Sequence, residues 1–166
     1  MRKRISKQLD TASAVKYYGE DILNSESFAK SHEFIQHGDV SVLEHSISVS
    51  CLCVYLARKS HLKFDYEALV RGALLHDYFL YDWHKKGHKL HGYRHADSAL
   101  KNAADDYAIS PITANMIARH MFPLNIRPPR YREGVILCIA DKICSAKETF
   151  SKPLYDKTIE FIRHDK

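Results

Sequence analysis

A chain of 166 residues, 45% hydrophobic and 27% charged, can bury its own apolar core, and this balance excludes a disordered or membrane protein. Six glycines and five prolines are too few for an all-β fold that must turn every few residues. The net charge of +5 is partly terminal, in Arg2, Lys3, Arg4 and Lys7, and without aromatic residues interleaved among basic ones it reads as a solvated tail or a preference for anionic substrates rather than a nucleic-acid surface.

No apolar run approaches the roughly 20 residues of a membrane-spanning helix. No apolar segment follows the basic start, so a cytoplasmic protein without a membrane partner is expected. Repeats, low-complexity tracts and linkers are absent, and residues 1–166 read as one domain. Cys51, Cys53, Cys138 and Cys144 form no C-x-x-C pair and lie in apolar patterns, as buried free thiols do.

In chain order, an amphipathic helix is expected from about Thr11 to Leu23 and a second from about Ser27 to Gln36, carrying Phe28, Phe34 and Ile35 and broken by Gly38. Ser41 followed by Glu44 is a capping-box pattern that opens a long helix. Leu43, Ile47, Cys51 and Val54 mark one apolar face of it, and His45, Val49, Leu52 and Leu56 a second, so it should be buried on two sides. Asp65 caps the next helix, DYEALVRGALLHDYF, where Gly72 permits close helix contact. The polar segment WHKKGHKLHGY reads as a loop, and HADSALKNAADDYA as helix again. Ser110 and Pro111 are N-cap and first residue of a helix running to about Met121. FPLNIRPPRY, with three prolines, cannot be helical. A final long helix from about Tyr131 to Phe150 is expected to bury Val135, Ile136, Ile139, Ile143 and Ala146. The fold class is therefore all-α, a compact bundle of about six to eight helices. The terminal segment with Leu154, Ile159 and Ile162 is amphipathic and suits docking on its own domain or on a partner.

The dipeptide His76-Asp77 closes an apolar helix, whereas a second such pair, His164-Asp165, lies in a polar tail. A buried imidazole beside a buried carboxylate needs partners, and a metal ion satisfies both. His45 and Asp141 also fall on buried helix faces, Asp141 within the apolar turn Ile136 to Ala140. A lone histidine on an apolar face, such as His45 or His120, is more often a hydrogen-bonded core residue, so it is the set that points to a metal. These residues are far apart in sequence, unlike a zinc finger, and suit a site built from facing helices of a bundle. Their mixed nitrogen and oxygen donors fit Mn, Fe, Co, Ni or Zn better than Ca or Cu(I) and do not choose among the five.

The pattern H…HD…D, with the pair at the end of the second helix of an all-α core, resembles the HD-domain superfamily of metal-dependent phosphohydrolases over about Gly38 to Phe150. The remainder would be an N-terminal helical extension and a short C-terminal tail. The resemblance implies His45, His76, Asp77 and Asp141 as ligands of a first divalent transition metal. In relatives with two metals, further histidines complete a second site, and His95 in HADSAL and His120 in MIARHMF match them. Ala96 stands where a proline is often found, and Leu100 replaces a small residue. One or two ions are thus implied, with Asp77 bridging them and acting catalytically to orient the attacking water.

The implied reaction is hydrolysis of a phosphoester or phosphoanhydride in a small phosphorylated metabolite, such as a nucleotide or dinucleoside polyphosphate, by metal-activated water. Lys142, Arg94 and His91 are the candidate substrate-binding residues. Each also has a plain reading, as surface charge for Lys142 and Arg94 and as a solvated loop residue for His91. Tyr78, Phe79, Tyr81 and Trp83 suit stacking on a nucleobase or, better, core packing under a loop. His32, His61, His84, His88 and His164 are assigned to the surface. The alternatives are a non-enzymatic or sensory metal-binding domain, a di-iron oxygenase of the same family and a nucleic-acid-binding module. Oligomeric state is not legible.

Overall fold

The computed structural model describes residues 10–82 and 91–164, without the side chains of 91–94, 161, 163 and 164. The expectations for the basic start, for the loop over 83–90 and for Trp83, His84, His88 and the His164 side chain lie outside these limits. No helix among the described residues is long and apolar enough to cross a membrane.

Asp10 caps α1 (Thr11–Tyr18), its carboxylate accepting the Ser13 N–H at 2.8 Å. The single helix expected to reach Leu23 is interrupted at Gly19, which leaves helical geometry at φ −110°, and the chain resumes as α2 (Glu20–Leu23). Glycine is the ordinary residue least committed to a helix interior, so the break falls there.

The helix expected over Ser27 to Gln36 is a larger correction. Ser25 caps a single turn, α3 (Glu26–Ala29), which tightens into a 3-10 turn at Lys30–Glu33. The chain then forms an antiparallel hairpin of β1 (Ile35–His37) and β2 (Val40–Ser41). Gly38 makes the turn at φ +55°, a conformation most residues avoid, so it reverses the chain rather than merely ending a helix. Along β1 the period is two: Ile35 faces solvent while Gln36 is buried.

Ser41 opens α4 (Val42–Lys59) with the expected reciprocal cap: its hydroxyl accepts the Glu44 N–H at 3.3 Å, and Glu44 Oε2 accepts the Ser41 N–H at 3.0 Å. As its two apolar faces require, α4 is buried over most of its length and packs against α1, α5 (Tyr66–Leu75), α8 (Arg132–Glu148) and α9 (Asp156–His164). Asp65 caps α5 as expected, and the helix ends at Leu75 with His76 as its C-cap, in keeping with an end at His76 and Asp77. Tyr78 N–H donates to Leu75 O at 3.2 Å and Phe79 N–H to Asp77 O at 2.8 Å, a tight turn in place of a further helical one. Successive side chains on a helix diverge by about 100°, so leaving the helix here lets two adjacent residues, His76 and Asp77, both face inward. Tyr78 and Phe79 are buried, which favours the core reading over base stacking for both.

Helix α6 (His91–Asp106) starts at His91, inside the segment expected to be loop. Ser110 and Pro111 open α7 (Pro111–Arg119) as expected, with Met116 packed where Gly72 leaves room, and His120 ends it as C-cap. Residues 121–131 are not helical, in keeping with their prolines. Ile159 and Ile162 of α9 are buried against α1 and α4, so this segment docks on its own domain. The described residues hold nine α-helices, above the expected range because Gly19 divides one and α3 is a single turn.

Of the stripe expected on the last helix only Ile136 packs against the core, and the rest is overturned, Ala146 being exposed. Val135, Ile139 and Ile143 are each nearly half exposed, and Leu137, Cys138, Ala140, Asp141, Cys144 and Glu148 face inward instead. Ile139 and Asp141 lie about 200° apart around a helix, so both could not face the core. Burial of the face that carries Asp141 decides the rotation of α8 about its axis. All four cysteines are buried free thiols, as expected.

Candidate metal centre

Four helices and the turn after α5 converge on one buried point. His45 stands one turn into α4, where the Ser41 cap fixes the helix start. His76 and Asp77 come from the end of α5, Asp141 from the middle of α8, His95 from α6 and His120 from the C-cap of α7. None of the six is more than 8% exposed. Two triads of potential donors result, His45 with His76 and Asp141, and Asp77 with His95 and His120, with the donor atoms of each within 4.8 Å of one another.

Asp77 joins the triads through its two oxygens. Oδ2 lies 3.3 Å from His76 Nε2 and 3.6 Å from His45 Nε2, while Oδ1 lies 3.2 Å from His95 Nε2 and 3.4 Å from His120 Nε2. Asp141 Oδ1 closes the first group at 3.3 Å from His45 Nε2 and 3.8 Å from His76 Nε2. The second group is completed by His95 Nε2 and His120 Nε2, 2.8 Å apart.

The outer ring nitrogens are engaged elsewhere. His76 Nδ1 donates to Ala73 O and His120 Nδ1 to Ile117 O, both at 2.8 Å, and His45 Nδ1 donates to Glu148 Oε2 at 2.6 Å. Each of these three rings, when neutral, therefore turns an unprotonated Nε2 towards the centre. His45 Nε2, His76 Nε2 and Asp77 Oδ1 are buried and make no hydrogen bond among the described residues. Buried polar atoms left that way are costly, and lone pairs converging at these distances suit a divalent cation. The donor set thus fits one or two such ions, and nothing in it selects the element.

Electrostatics reinforce the point. Burial alone would keep His45 neutral, but Asp141 and Glu148 beside it raise its pKa to about 9, and His76 is held well above its usual range by Asp77 and Asp141 despite the same burial. Asp77 and Asp141 resist the effect of burial and stay well below the usual carboxylate range because of the imidazoles around them. His120 shifts down through burial, with His76 and His95 adding to it. In the absence of a cation the same carboxylates favour the protonated forms of His45 and His76.

Of the candidate substrate contacts, Lys142 is exposed, and its ammonium reaches the carbonyls of His120 and Cys138 at 3.5 and 3.4 Å, beside the centre but not on a donor atom. The side chains of His91 and Arg94 lie outside the described part of the molecule. His32 and His61 are exposed as expected.

Four residues escape the sequence argument. Gln36 donates through Nε2 to Asp77 Oδ2, Ser145 donates to Asp141 Oδ1 at 3.1 Å, Glu148 holds His45, and the His37 ring lies 5.3 Å from that of His45. Glu148 could have been found, since it follows Asp141 by two helical turns on one face. Gln36 and His37 sit on a hairpin that the helical reading of this segment hides.

Residues 42–146, more than half of the chain, match the family model described as HD domain. No curated protein and no solved structure matches the chain significantly.

Proposed function

The chain belongs to the HD-domain family, whose members are generally metal-dependent hydrolases, and on that premise we propose that it hydrolyses a phosphoester or phosphoanhydride bond of a small phosphorylated metabolite. A nucleotide or dinucleoside polyphosphate is the substrate class in view. The observation that carries the reading is Asp77, with one carboxylate oxygen turned to each of two imidazole groups. His45, His76, Asp77 and Asp141 would hold a first divalent ion, and Asp77, His95 and His120 a second. Such an ion lowers the pKa of a water towards ~7 and polarises a phosphoryl oxygen.

The chain's own residues prepare that chemistry by position. Ala73 O, Ile117 O and the Glu148 carboxylate fix three imidazole rings so that Nε2 faces inward. Gln36 holds the plane of the Asp77 carboxylate through Oδ2, leaving Oδ1 turned towards His95 and His120. Phe79, buried and 5.9 Å from the His95 ring, sets an apolar ring against that side. Lys142 brings an exposed positive charge beside the centre, suited to an anionic substrate.

The test is element analysis of the purified protein, followed by release of phosphate from mononucleotides, dinucleoside polyphosphates and an aryl phosphate. One or two equivalents of a divalent transition metal and turnover that stops with chelation are expected. Bound metal without hydrolysis of any of these would leave a sensory domain and sink the enzymatic reading.

A further inference from the structure

Among the three imidazoles whose outer nitrogens are fixed by described partners, His45 differs from the other two. Its Nδ1 faces a carboxylate, Glu148 Oε2, at 2.6 Å with both side chains fully buried, whereas His76 and His120 donate to neutral backbone carbonyls. A charged acceptor makes an imidazole a stronger donor to a metal and locks its tautomer.

Charge is uneven in the same sense. Asp77, Asp141 and Glu148 surround the first group, while the described second group shares Asp77 alone. Glu148 Oε1 is buried and has no hydrogen-bond partner among the described residues, a costly state for a carboxylate unless positive charge is near.

The position of Glu148 is also secured from outside its helix. It is the last residue of α8, where helices fray. The hairpin turn presses on it so closely that a Cβ at Gly38 would lie 2.7 Å from its carbonyl oxygen. That hairpin also supplies Gln36 to Asp77. One short element therefore hydrogen-bonds Asp77 and lies against the backbone of Glu148.

We propose that Glu148 is the positioning residue of His45 and that it makes the His45, His76, Asp77 and Asp141 site the tighter of the two metal sites. The inference rests on the metal-dependent reading above.

The test is calorimetric titration of the chelator-treated full chain with Co(II) alone, for the wild type, Glu148→Gln and Glu148→Asp. Glutamine keeps the shape and an acceptor but removes the charge. The wild type is expected to take up a tight equivalent, which Glu148→Gln weakens by about 10- to 100-fold while sparing a weaker one. Glu148→Asp restores part of the loss, with far-UV circular dichroism unchanged throughout. A Glu148→Gln titration that superimposes on the wild type overturns the inference, as does equal weakening of every step. A wild type that binds no Co(II) overturns the metal reading itself and this inference with it. If Glu148→Gln does not fold, the histidine ring nitrogens of the Zn(II)-loaded wild type decide by NMR: His45 protonated at Nδ1 agrees, and protonation at Nε2 refutes.

Discussion

His95 Nε2 stands 2.8 Å from His120 Nε2 in the interior of the molecule. The His120 ring already commits its other nitrogen to the carbonyl of Ile117, so when neutral it turns an acceptor Nε2 towards His95. Both nitrogens also face Asp77 Oδ1, at 3.2 and 3.4 Å, and with Gln36 and His45 at Oδ2 this carboxylate is the common partner of residues from four other segments.

Replacement of Asp77 by alanine should therefore remove the residue shared by both donor groups. Turnover and metal retention are expected to fall below detection while helix content stays close to the wild type, since Asp77 lies in a turn after α5 and not within a helix. Metal analysis after dialysis and far-UV circular dichroism check this. A fully active Asp77→Ala protein would refute the mechanism.

In chelator, stability should fall as pH rises from about 6.5 to 9. His45 is raised from 6.5 to about 9 in the folded state, so its contribution is complete below 6.5 and lost as pH climbs through 9; His76 acts in the same direction. The effect of His45 alone is on the order of 3 kcal/mol. His37 and His120, both lowered, pull the opposite way as pH drops below 6.5, so the optimum of the metal-free protein lies close to that value. With metal added the gain in Tm should widen between pH 6.5 and 9, because protons and the ion compete for the same nitrogens. Thermal melts with and without EDTA report both slopes; a flat or rising curve in EDTA contradicts the assignment.

Gly38→Ala combines a left-handed backbone with a clash. At φ +55° an alanine costs about 1–2 kcal/mol, and its Cβ would sit 2.7 Å from the Glu148 carbonyl oxygen, so either the hairpin or the end of α8 must shift. A stability loss of about 2 kcal/mol or more in urea unfolding is expected, together with weaker metal uptake. Unchanged stability would show that the turn is not held against α8.

The four thiols should be inert in the native protein. Burial raises Cys53 well above its normal value and pushes Cys51 and Cys144 up to about 12, and Cys138 is raised for the same reason. Iodoacetamide at pH 8 is expected to add nothing detectable to the intact mass without denaturant and four groups in guanidinium chloride. Rapid native labelling at any of the four would place that cysteine at the surface.

The helix starts at Ser41, Asp65 and Ser110 were legible in the sequence because capping is local: a side chain bonds a backbone N–H three residues on, whatever the rest of the molecule does. Four residues of the centre, His45, His76, Asp77 and Asp141, were legible for a related reason, since imidazoles and carboxylates among apolar residues demand a partner, whereas His95 and His120 were reached only through the family resemblance. What failed were choices between two locally acceptable faces. On α8 the residues Val135, Ile139 and Ile143 are as apolar as the face that is buried, and the segment Phe34 to Gln36 satisfies a helical period as well as an extended one.

By itself, then, the sequence determined the residue chemistry at the centre, the principal helices and their starts, through interactions that span a few positions along the chain. Only the tertiary structure decided that α8 turns Asp141 and Glu148 inward, that a hairpin carries Gln36 to Asp77 and that α9 returns to its own core. Those outcomes depend on which distant surfaces meet. Contacts of that kind are set by the packing of whole helices, where a buried charge finds its partners, and leave no periodic trace in the order of residues.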